Sequence, residues 1–209
     1  MKQKKIWFLA VMILLAGLTI CPVRAASNNS QIENVIKTYM AGARKTDGRT
    51  MGSCFKSPTG YALTIQQAKK RLSCLEEVYQ KNKEISNKLK CIKITGNTAL
   101  VEVRVISPDI KKATNQAIGE YESYTINHPH LSQKEQDRLF DGYMKKAIKV
   151  NGVQMYSHTM IFNMEKTSKG WKIQNRSQED LTDYNLVLGR FLDALVEYDN
   201  NSRRIMWDE

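Results

Sequence analysis

His158 carries the most chemistry in this chain by residue type and setting. A neutral imidazole exchanges a proton near physiological pH, and the alternating run around it places Tyr156 on the same strand face. With Arg104 on a neighbouring strand, these residues form a candidate catalytic group, and Tyr156, His158 and Phe162 form a candidate ligand-binding wall. The plainer reading of His158 is a hydrogen-bonded sheet histidine, since the sequence puts no carboxylate beside it. His128-Pro129-His130 has the two-apart spacing of some metal ligands, with Glu135 or Asp137 able to complete a set, but the spacing alone is weak, a surface loop is the favoured reading and no metal is expected. Cys54, Cys74 and Cys91 sit 20 and 17 residues apart, matching neither a zinc pattern nor Cys-x-x-Cys. The chain's fourth cysteine, Cys21, falls in an N-terminal leader; once that is cleaved the remaining three allow at most one pair, and a free cysteine also packs as a small hydrophobe.

Other chemistry is excluded by motif. There is no phosphate-cradling glycine loop, no Ser-His-Asp order and no His-Glu-x-x-His, so no cofactor is expected. Basic residues do not interleave with aromatics as a nucleic-acid platform would require. Phe162 and Trp171 could line a pocket, but at strand spacing before a helix they are first of all core.

The N-terminus supplies an address. Lys2, Lys4 and Lys5 precede an apolar run from Ile6 to Ile20, and Pro22 leads into Val23-Arg24-Ala25, a small-residue exit. This is the order of a secretory signal peptide, predicting residues 1–25 as a cleaved signal helix and 26–209 as a single domain. The run of 15 residues falls short of the roughly 20 that span a bilayer. Two alternatives remain: an uncleaved anchor, or a lipoprotein modified at Cys21, for which Ile20 fits the peptidase site poorly. Secretion or attachment to the cell envelope follows in each case, with no stable transmembrane span after cleavage.

Removing 25 of the 209 residues leaves 184, a natural size for one core. Four of the 32 basic residues go with the leader and none of the 21 acidic ones, so the remainder carries +7. The densest basic stretch is Lys81, Lys83, Lys88, Lys90 and Lys93. It could favour anionic cell-envelope polymer or headgroups, or be no more than a solvated surface.

The elements that must position these residues follow from periodicity. Ser30 to Glu33 reads as a capping box opening a helix on Ile32, Val35, Ile36, Tyr39, Met40 and Ala43. A loop is predicted at Ser57 to Gly60, and a second helix from about Thr64 to Tyr79. Leu89–Thr95 and Thr98–Ile106 form a hairpin about Gly96-Asn97, with Ala99, Val101, Val103 and Val105 on one face and Leu100, Glu102, Arg104 and Ile106 on the other. Ser107-Pro108-Asp109 is expected to stop the strand and open a helix. Ser132 to Glu135 caps another, Val153–Met164 and Trp171–Gln174 form a second hairpin, and a closing helix begins near Thr182.

Helices, hairpin, helix, hairpin is an α+β plan: a curved antiparallel sheet with helices packed on one face. Three stretches resemble the nuclear-transport-factor-two-like, or cystatin-like, cone found in secreted proteins and lipoproteins of Gram-positive bacteria. They are the opening helix Ile32 to Ala43, the strand Ala99 to Asp109 running into a helix, and the terminal pair ending Gly170-Trp171-Lys172-Ile173. The resemblance implies a cavity between sheet and helices. Enzymes of that superfamily use a carboxylate or histidine there, and many members only bind a ligand or protein. The cystatin-type inhibitor hairpin Gln-x-Val-x-Gly is missing. The expectation is a non-enzymatic binding domain for an unknown protein or small ligand, with an enzyme using a cavity His158 as its rival.

Overall fold

The computed structural model describes residues 28–57, 61–175, 177 and 180–207. The predicted signal peptide, and residues 58–60 of the predicted loop, lie outside the described residues.

Helix α1 (Asn28–Arg44) begins two residues ahead of the Ser30 box and buries the expected stripe of Ile32, Ile36, Tyr39, Met40 and Ala43. Asp47 then caps a short helix α2 (Gly48–Ser53), its carboxylate accepting the Arg49 and Thr50 amides at 3.0 and 3.1 Å. The two helices meet so closely that a Cβ on Gly42 would lie 2.9 Å from the Met51 nitrogen.

The single helix expected from Thr64 is broken. Helix α3 (Tyr61–Arg71) stops at Leu72, whose backbone leaves the helical region, and after a tight turn at Ser73–Leu75 helix α4 (Glu76–Lys81) takes over. The charges explain the break. Lys69, Lys70 and Arg71 suit the carbonyl end of one helix, and Glu76 and Glu77 suit the amide end of the next.

Strands β1 (Ser86–Thr95), β2 (Thr98–Asp109), β3 (Gln154–Thr167) and β4 (Gly170–Ile173) form one antiparallel sheet in that order. Gly96 turns the first hairpin at a positive φ of 59°. The two faces of β2 divide as predicted: Ala99, Val101, Val103 and Val105 are buried, while Leu100, Arg104 and Ile106 are exposed. Its end does not. The strand runs through Pro108, opposite Met155, to Asp109, and helix α5 (Lys111–Ile126) starts only after it. A helix start needs an acceptor for its free amides, and the Asp109 carboxylate supplies one to Lys111 at 2.8 Å.

Helix α6 (Gln133–Asn151) opens with the predicted Ser132–Glu135 capping box. The expected closing helix is split into α7 (Thr182–Leu188) and α8 (Phe191–Trp207) by Gly189 and Arg190, both left-handed at φ 62° and 60°.

The inner sheet face and the helices share one core. Tyr39 presents its ring edge-on to Phe162 at 5.2 Å and Phe55 at 6.0 Å, and its hydroxyl bonds Asp183. Trp171 is in this core at 2% exposure, as expected, its indole N–H donating to Asn28 at 3.3 Å. The arrangement is the cone-like α+β plan: helices on one face of an antiparallel sheet, the other face open. Among the described residues, no helix is long and apolar enough to cross a membrane.

Candidate functional site

The core does not extend along the whole inner face. On β3 the inward residues Met160, Phe162 and Met164 are buried, but Tyr156 and His158, continuing the same face, are not fully covered. Opposite them β2 changes from valine to serine, with Val105 facing His158 and Ser107 facing Tyr156. This polar end of the sheet floors an open cavity of about 800 Å³, roofed by residues of α7 and α8.

Arg190 holds roof to floor. Its Nη1 lies 2.9 Å from Asp109 at the end of β2, its Nε 3.0 Å from Asp193 on α8, and its guanidinium 4.4 Å from the centre of the Tyr156 ring. The left-handed pair 189–190 aims it there, and the Gly189 carbonyl accepts the Ile110 amide at 2.8 Å. A non-glycine residue in that region costs about 1–2 kcal/mol. Asn185 braces Asp193 from α7, donating its amide at 2.6 Å and accepting the Asp193 N–H at 3.2 Å. At the rim Lys111 pairs with Glu197 at 2.6 Å. Arg190 keeps its charge: burial opposes it, but Asp193 and Asp109 outweigh burial and raise its pKa.

His158 stacks on Tyr156, ring centres 5.4 Å apart and planes 10° from parallel. Burial pushes its pKa below the usual histidine value. The Arg190 cation acts in the same direction, while the Tyr156 carbonyl, Asp193 and Asp109 pull against it. The ring is therefore neutral at pH 7. Its Nδ1 is buried with no hydrogen-bond partner among the described residues, and the same holds for the Ser107 hydroxyl, whose residue is 1% exposed. Two orphaned polar atoms lie at one sheet end, where each would ordinarily be satisfied.

Of the predicted site residues, Tyr156 and His158 come together and line the cavity. Arg104 is corrected: it pairs with Thr159 on the opposite face of the sheet and donates to Ser157 at 2.9 Å, because strand alternation separates it from His158. Phe162 is corrected as well. It is fully buried against Tyr39, in the core rather than on the cavity wall. His128 stacks on Tyr124 and its Nδ1 lies 2.8 Å from that residue's carbonyl, while Glu135 is engaged by Ser132 and Asp137 by Gln133. Cys54, Cys74 and Cys91 are all free thiols, the first two buried.

Comparison with protein-family models and with curated proteins finds no match. Among the solved structures that resemble the chain are two of known description. One is a candidate dehydratase of the NTF2-like family from Streptomyces avermitilis, with 12% identity over 70% of this chain and 91% of that one, at a TM-score of 0.36. The other is a candidate lipoprotein from Bacillus subtilis, with 18% identity over 73% of this chain and 44% of that one, at a TM-score of 0.33. Likenesses at these scores carry no argument about activity, and the site stands on its own geometry.

Sequence reasoning missed Ser107, Arg190, Asp193 and Asn185. One signal was legible. Gly189 interrupts a helical pattern, and a glycine there marks a bend that re-aims its neighbours.

Proposed function

We propose that the chain is an exported, envelope-associated binding domain whose cavity takes a small polar ligand. The lysines, apolar run and small-residue exit of residues 1–25 support the address. The observation that carries the ligand reading is the Ser107 hydroxyl, buried and unpartnered among the described residues on the cavity floor beside a neutral His158. A polar ligand or a water held by it satisfies that group, whereas a purely apolar ligand leaves it stranded.

The rival is an enzyme of the same fold working through His158. General-base chemistry wants a carboxylate orienting the imidazole, and Asp109 and Asp193, whose fields reach His158, are instead committed to Arg190. The arrangement favours a fixed recognition surface over a proton relay.

The test is a ligand-observed NMR screen of small polar compounds against the parent chain, Ser107→Val and His158→Gln. Compounds that bind the parent and lose binding in both variants support the reading. Hits indifferent to both variants would move the site elsewhere, and turnover of a bound compound abolished by His158→Gln would favour the enzyme.

A further inference from the structure

The outer face of the sheet carries a second feature, independent of the cavity. Along β1 the exposed residues Lys88, Lys90 and Lys93 have no ion-pair partner among the described residues. Lysines on an edge strand also guard it against pairing with other chains, so by themselves they argue for nothing more. Arg104 is different. It sits on the interior strand β2, exposed, directly across from Lys88 in the register. Guarding an edge does not call for a cation there, and like charges placed opposite one another weaken a sheet. Lys93 lies across from Leu100, and both Leu100 and Ile106, which flank Arg104 on the same face, are more than a third exposed at 38% and 37%.

We propose that this outer face docks on an anionic bilayer surface. An anion between Lys88 and Arg104 relieves their repulsion, and lipid phosphates supply a dense array of such anions. The apolar pair decides between sources of phosphate. A hydrated phosphodiester polymer gains nothing from Leu100 and Ile106, whereas a bilayer interface buries them alongside its headgroups. Glu102, between Leu100 and Arg104 on the same face of β2, keeps the face from being uniformly cationic.

The test is co-sedimentation of the full chain with vesicles of phosphatidylcholine alone and with added phosphatidylglycerol. The readout is the ratio of the two affinities, because the apolar leader partitions into both kinds of vesicle. K88S/R104S should lower that ratio about 30-fold, at about fivefold per cation near the surface. K134S/K149S, which removes the same charge from exposed positions on α6, should leave it nearly intact. L100S/I106S should weaken binding to the anionic vesicles. Equal losses in both charge variants would reduce the effect to net charge and overturn the proposal. Anionic-vesicle binding unchanged in L100S/I106S would also overturn it, in favour of a phosphate polymer.

Discussion

At His158, burial and Arg190 favour the neutral imidazole in the folded chain, so its folded pKa lies below the unfolded value of about 6.5. The unfolded chain then binds the proton first as pH falls. The resulting contribution to stability is complete above the unfolded pKa and is lost as pH drops below it toward the folded one. Urea melts at pH 7.5 and pH 5 should show a fall in stability that is smaller in His158→Gln, and an identical fall in both would remove His158 as its cause. Arg190→Ala gives the same residue a second test. With the cation gone and Asp109 and Asp193 left unneutralised, the His158 pKa should move up in an NMR titration, and a pKa that stays put would mean Arg190 does not act on the ring. Neither effect was readable from sequence. Arg190 reaches Asp109 across 81 positions, and only the fold brings them together.

At the scale of elements, the break between α7 and α8 is the most exacting piece of backbone. Gly189 is left-handed at φ 62°, and a Cβ there would meet Val78 at 3.1 Å and Ile110 at 3.4 Å. Gly189→Ala should therefore cost about 2 kcal/mol, mostly for the left-handed backbone, read as a shift in denaturant midpoint without a change in slope. A shift near zero would mean that the helices join differently. The closing hairpin gives a larger figure. Trp171→Ala removes a buried ring and leaves a cavity, for an expected loss of about 3–5 kcal/mol, and a loss below about 1 kcal/mol would place the ring outside the core. Element types were legible because their periods are strong, as in α1, α6 and both hairpins. Their ends were less so. Pro108 reads as a strand stop when no acceptor is in view, but the carboxylate one residue on delays the helix and extends β2 to Asp109. The charge switch from Lys69-Lys70-Arg71 to Glu76-Glu77 was visible and marks the α3–α4 break, yet the apolar stripe running across it reads as one helix.

For the molecule as a whole, the α+β plan was legible because alternation on β2 and β3 divides an inner apolar face from an outer polar one. The same alternation puts Arg104 outside and Phe162 deep inside, so half of the candidate site was visible as a face before it could be located as a place. The thiols report on this layering. Cys91 is exposed on the outer face, Cys54 and Cys74 are buried, and burial with Asp141 nearby raises the Cys74 pKa to about 12. Of these three, Cys91 alone should react quickly with a thiol reagent in the folded chain and all should react in denaturant. Rapid labelling of Cys74 without denaturant would show that the α4–α6 region opens readily.

The bridge from Arg190 to Asp109 also fixes when the cavity can exist. A ribosome making this chain has laid down Ser107, Tyr156 and His158 while the segment that roofs them is still unmade. The cavity is walled on both sides only once α8 has been synthesised. The cavity's walls are thus drawn from segments far apart in the chain, and a chain cut short before Asp193 would keep its sheet but lose much of that roof.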